Sequence, residues 1–212
     1  MVNTLTCIDW GLCDYADALK RQKTLWLQRR KNEIPDTLIL TEHLPVFTIG
    51  KHGKKENLLV SEAVLKSKNI TLHHIERGGD ITFHGPGQII GYPIFKIKQP
   101  LVGIRQFIHN LEQILINTLA SFNIQAIKRT QYIGIWVEDK KIASLGIAIA
   151  KYVSFHGFAL NVSTDLTYFD LINPCGIKEI KMTSVEQILQ RKIPIELIKT
   201  VIRNQFIKVF NF

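Results

Sequence analysis

Cysteine is scarce and unpaired in this sequence. Cys7, Cys13 and Cys175 are an odd number, and no two of them form a C-x-x-C pair. A chain of 212 residues is long enough to fold on its core alone, so no disulfide framework is expected. Long apolar runs are missing too. Ile142 to Ala150 is broken by Ser144 and Gly146 and falls short of the roughly 20 residues that cross a bilayer, so no membrane span is expected. The N-terminus has neither the charged start nor the apolar block of a secretory signal, and a cytoplasmic protein is the expectation. Acidic side chains are outnumbered, 18 against 27 Lys and Arg, for a net charge of +9. Such an excess raises encounter rates with acidic macromolecules without separating nucleic acids from acidic proteins. A surface of solvated lysines is the plain alternative.

Several ligand motifs are absent as well. Seven histidines, at 43, 52, 73, 74, 84, 109 and 156, show no H-E-x-x-H or other spacing that sets two rings on one helical face, so no metal site is expected. Gly85, Gly87 and Gly91 follow G-x-G-x-x-x-G and run into a β-rich segment with Pro93, unlike a dinucleotide loop. "GKHGKK" carries Lys55 where a phosphate loop needs Ser or Thr.

What is present is a mixture of periods. Hydrophobic residues make up 46% of the chain, enough for a proper core. Asp14 is a candidate N-cap for a helix bearing Tyr15, Ala18, Leu19, Leu25 and Trp26. Residues 37–41 and 46–49 read as strands around a Pro45 turn, and 61–68 as a short helix. "ITLHHIE" and "IIGYPIFKI" are strand-like. From Val102 onward Phe107, Ile108, Leu111, Ile114, Leu115, Leu119 and Phe122 recur at helical spacing. "YIGIWV" and "IASLGIAIA" flank "EDKK" as a hairpin, with "FHGFALNVS" as a third strand. Two helices close the chain, one opening at Thr183 with Glu186 three residues on, the other at Pro194. The prediction is one α+β domain over residues 1–212, a mixed β-sheet flanked by helices.

Two stretches hold chemistry. In "RGGDITFHGPGQ", Gly78, Gly79, Gly85 and Gly87 let the main chain approach a ligand, and Arg77 and His84 add polar groups. Two glycine turns around a strand would read the same way. In "NPCGI", Cys175 is either an inert core thiol or a nucleophile. As a nucleophile it needs a partner, because an unperturbed thiol has a pKa of about 8.5. The candidates are Lys141, Lys178 and Lys181, with His84 or His156 reached through folding. A lysine serves in two forms: charged, it stabilises the thiolate; neutral, it accepts a proton from an incoming amine.

Four stretches in order and spacing, "RGGDITFHGPGQIIGYPI", "KIASLG", "FHGFALNV" and "NPCGI", resemble the octanoyltransferases of lipoate biosynthesis, the octanoyl-acyl carrier protein:protein N-octanoyltransferases. The similarity runs from about Thr41 to Thr183. It implies a fold related to the biotin and lipoate protein ligases and class II synthetase catalytic domains. It also implies an acyl-thioester on Cys175, with Lys141 lowering the thiol pKa. Substrate contacts carry over to Arg77, Gly78, Gly79, Asp80, Ile81, Thr82, Phe83 and His84, to Ser144, Leu145 and Gly146, and to Gly157, Phe158 and Ala159. The implied partners are octanoyl-acyl carrier protein, which delivers the acyl group on its phosphopantetheine, and the lipoyl domains of 2-oxoacid dehydrogenases and glycine cleavage H protein. The resemblance implies neither a further cofactor nor a metal, and partners that are small and acidic, which a basic surface would steer.

Two rivals share parts of this pattern. A lipoate or biotin protein ligase has the same fold but activates a free acid with ATP, and does not require Cys175 with Lys141. A nucleic-acid-binding module would want basic residues clustered with aromatics, whereas "LQRRKN" and "KHGKK" are short and separated.

Overall fold

The computed structural model describes residues 4–97, 100–129, 132–177 and 180–212, with the backbone alone at 100–102. Lys178, one of the candidate partners of the thiol, lies outside the described residues.

In chain order the elements are β1 (Leu5–Cys13), α1 (Tyr15–Arg30), β2 (Asp36–His43), β3 (Val46–Ile49), α2 (Glu62–Ser67), β4 (Thr71–His74), β5 (Ile81–His84) and β6 (Gln88–Ile94). They continue with α3 (Pro100–Ala120), β7 (Ile127–Lys128), β8 (Ile135–Val137), β9 (Lys140–Ala150), β10 (Val153–Asn161), α4 (Val185–Leu189) and α5 (Ile195–Phe210). Seven strands form a mixed sheet in the order β1-β2-β6-β10-β9-β8-β7, in which β1 and β2 are parallel and the remaining pairs antiparallel. A smaller sheet, β4-β3-β5, carries the glycine-rich stretch.

Both faces of the large sheet are covered, which is why its central strands are buried along nearly their whole length rather than at alternate residues. Leu38, Leu40, Ile89 and Leu160 pack on one face under Leu111 and Leu115 of α3 and Ile202 and Phe206 of α5. Ile39, Ile90, Tyr92 and Ala159 point to the other face, where Leu25 and Trp26 of α1 join them. Phe47, Ile49, Ile81 and Phe83 form a separate core with Phe169 and Ile172. Each fully buried aliphatic side chain of this kind contributes about 1.5–3 kcal/mol.

Three expectations change. Strand β1 was not anticipated: it is an edge strand whose residues are mostly exposed, so it lacks the apolar alternation that marks a half-buried strand. The strands on either side of Pro45 belong to different sheets, because β2 pairs with β6 and β3 with β5. The cap of α4 is Ser184, not Thr183, with its side chain accepting from Gln187 N at 3.2 Å. Thr183 is taken by β9, since its N–H donates to Lys141 O at 2.9 Å.

Candidate active site

Cys175 occupies a single 3-10 turn, Pro174–Gly176, with a left-handed backbone (φ 59°, ψ 18°). A non-glycine residue in this region is strained, and such strain clusters at functional sites. The loop is tied down on both sides. Asn173 N donates to Asn57 O at 2.8 Å, and Asn57 Nδ2 donates to Asp80 Oδ2 at 2.7 Å. Gly176 (φ 71°) lies flat against Asp80, where a β-carbon would stand 2.5 Å from Oδ2.

Lys141, near the start of β9, is 1% exposed, and its Nζ donates to Cys175 Sγ at 3.0 Å and to Ile133 O at 2.8 Å. Thirty-four positions separate the two side chains in the chain. The strand start is anchored by the segment that follows the cysteine loop: Lys141 N donates to Lys181 O at 2.8 Å while Thr183 N returns to Lys141 O.

A directed series of buried hydrogen bonds joins this lysine to the glycine-rich stretch. Arg77 Nη2 donates to Thr48 O at 2.5 Å and to Thr48 Oγ1 at 2.9 Å. Thr48 Oγ1 lies 3.3 Å from His84 Nε2, and His84 Nδ1 lies 2.9 Å from Gln88 Oε1. Gln88 Nε2 donates to Asn161 Oδ1 at 2.8 Å, and Asn161 Nδ2 to Thr183 O at 3.0 Å. Satisfying both His84 contacts puts its proton on Nδ1, with the threonine hydroxyl donating to Nε2. Burial, with His43 nearby, pushes His84 down to about 3, so it is neutral. Thus His84 serves as a link in a positioning network.

Two cavities meet at Cys175. The narrower, about 50 Å³, runs between Arg77, Gly79, Asp80, Ile81, Thr82 and His84 on one side and Ser144, Leu145, Gly146, Gly157, Phe158 and Ala159 on the other, and reaches Tyr15, Tyr92 and His156. The wider, about 310 Å³, is lined by Lys141, Gly78, Ile108, Tyr132, Ile133, Ile147 and Ile177, and Cys175, Gly79, Asp80, Leu145 and Gly146 border both.

The family model described as the lipoyl protein ligase A/B catalytic domain matches residues 14–207. The chain belongs to that family. It is 43% identical over 98% of its length to an octanoyltransferase of Alkaliphilus metalliredigens, covering 96% of that protein. It is 46% identical over 93% of its length to one from Dictyoglomus thermophilum, covering 84% of it. Among solved structures, a lipoate-protein ligase A bound with ATP superposes with a TM-score of 0.76 at 16% identity, covering 100% of this chain and 86% of that one. A bipartite lipoate protein ligase of Thermoplasma acidophilum, from a study that includes its E2 lipoyl domain, superposes at 0.75 and 14% identity, covering 97% and 83%. At these identities the structures establish the fold alone. The expected ligase-like mixed sheet is the one observed.

Gly85, Gly87 and Lys181 line neither cavity, and of the site residues the resemblance implies all but one line one or both. Phe83 does not: its ring is buried in the small sheet's core, stacked on Tyr168 at 4.4 Å. Gly157 is fixed by its neighbour strand as much as by any ligand, because a β-carbon there would stand 2.0 Å from Gly91 O. Thr48, Gln88 and Asn161 carry no local signal because their roles come from contacts between strands, and Asn57 gains its role from contacts between loops. Nor does any motif flag Gly134, where a β-carbon would stand 2.3 Å from Lys141 Cε. Among the described residues Lys141 is the lysine that meets the thiol.

Proposed function

We propose that this chain is an octanoyltransferase of lipoate biosynthesis, moving an octanoyl group from the phosphopantetheine of acyl carrier protein through a Cys175 thioester to the lysine ε-amine of lipoyl domains. The observation that carries the reading is the 3.0 Å contact between Lys141 Nζ and Cys175 Sγ at the junction of two cavities. The relatives named octanoyltransferase support it.

In the first step the Cys175 thiolate, stabilised by the Lys141 ammonium, attacks the thioester carbonyl. A new C–S bond forms, the bond to the pantetheine sulfur breaks, and the departing thiolate takes a proton from Lys141. In the second step a neutral lysine amine of the acceptor attacks the acyl-enzyme. The amide bond forms, the nitrogen gives one proton to the now neutral Lys141, and Cys175 leaves as thiolate. Ile133 O holds the amine in place through both steps. The narrow cavity takes the acyl chain between apolar walls, and the wider one admits first the pantetheine arm and then the acceptor lysine. The thioester is already activated, so the reading calls for neither ATP nor a metal.

An ATP-dependent ligase is the competing reading on the same fold. Incubation with octanoyl carrier protein and an apo lipoyl domain should give octanoylated domain without ATP. Product formed only from octanoate with ATP would replace this proposal with the ligase.

A further inference from the structure

The inner end of the narrow cavity is polar, which an alkyl chain does not explain. Tyr15, Gln22 and His156 are 2%, 0% and 2% exposed, and Tyr15 Oη, Gln22 Nε2 and His156 Nε2 have no hydrogen-bond partner among the described residues. Tyr15 and His156 line the cavity, and Gln22, two turns along α1 from Tyr15, accepts from His156 N at 3.0 Å. Two neighbouring polar groups are already paired. Tyr92 Oη lies 2.7 Å from His43 Nε2, and His43 Nδ1 lies 3.1 Å from Cys13 O. Glu76 Oε2 stands 3.7 Å from His156 Nε2, beyond hydrogen-bond reach. Burial and Arg77 push His156 down to about 4, so its ring is neutral.

Buried polar atoms left without partners are costly, and water is small enough to serve several of them at once where a cavity reaches them. We propose that Tyr15, Gln22 and His156 bind water at the end of the acyl cavity, and that this water sets the upper limit on chain length. The inference rests on the acyltransfer reading above. A chain that stops short of the water leaves its hydrogen bonds intact. A longer chain expels it and strands the three atoms, at about tenfold or more in preference for each.

The test needs no turnover. Binding of the C6, C8, C10 and C12 fatty acids is measured by calorimetry on the intact chain, for wild type, Tyr15→Phe and Tyr15→Phe/Gln22→Met. Thermal melts confirm that each variant folds, and the single Tyr15→Phe keeps the ring should the double variant fail. The wild type should bind C8 best and lose at least tenfold at C10 or C12, while the variants should shift the optimum to a longer acid. An optimum that stays at C8 in a folded variant, or 8-hydroxyoctanoate binding more tightly than octanoate to the wild type, would overturn the water-capped floor. The same acids presented as carrier-protein thioesters separate the two ideas: a chain-length optimum that moves without any transfer removes the transferase reading and leaves the floor standing.

Discussion

Gly134 leaves the room that Lys141 occupies. A β-carbon placed on it would stand 2.3 Å from Lys141 Cε and 3.0 Å from Nζ, and its φ of 140° is itself unfavourable for an L side chain. The residue before it, Ile133, supplies the carbonyl that the amine grips. One glycine therefore shapes both the space and the hold of the proposed proton-transfer group.

Gly134→Ala should push the amine away from Cys175. A positioned proton-transfer group contributes about 10²–10⁴-fold, so acyl-enzyme formation should slow at least tenfold. Backbone strain should cost on the order of 1–3 kcal/mol of stability. Rapid-quench acylation rates beside thermal melts check this. A variant that reacts at the wild-type rate would show that the amine's position is immaterial.

Asn161 joins the two halves of the site by receiving Gln88 and donating to Thr183 O. Asn161→Ala should strand a buried amide and a carbonyl, at about 1–3 kcal/mol each, and slow acylation by loosening the strand start that bears Lys141. Unchanged kinetics alongside a lowered melting temperature would reduce the network to a stabilising role.

Much of this was legible before folding was considered, because the site residues fall within four short stretches, three of them along a single strand or loop and the first running from a loop through β5 into β6. The long helix α3 was readable for a similar reason: its stripe is set by local spacing. Other features were hidden because their cause is elsewhere in the chain. Gln22 sits at the position where the buried stripe of Tyr15 and Ala18 continues, and its contact with His156 N of β10 shows only once β10 is known to lie beside α1. Asn57 is one polar residue in a lysine-rich loop until its carbonyl and amide meet Asn173 and Asp80. Thr183 looked like a helix cap by local pattern, but pairing with Lys141 overrides it and moves the cap to Ser184.

Acid should destabilise the fold through three histidines. Burial lowers His43 to about 4, His84 to about 3 and His156 to about 4, whereas an unfolded histidine titrates near 6.5. Between those values the unfolded chain binds more protons than the folded one, so stability is intact above about pH 6.5 and falls as pH drops toward 4. The steepest loss is about 1.4 kcal/mol per pH unit for each histidine. Denaturant melts from pH 7.5 to 4.5 should show this decline, and His84→Gln should make it shallower. A stability that holds level from pH 6.5 to 5 would contradict the buried neutral rings.

The covalent intermediate is the most direct test of the account. The protein is mixed with octanoyl carrier protein, quenched in acid and weighed intact, with peptide mapping of the modified residue. Wild type should gain one octanoyl group on the 173–177 peptide, Cys175→Ser should show no transfer, and Lys141→Ala should acylate slowly with partial recovery at raised pH. Acyl transfer to a lipoyl domain by the Cys175→Ser protein, or an octanoyl group found on any other residue, would contradict it.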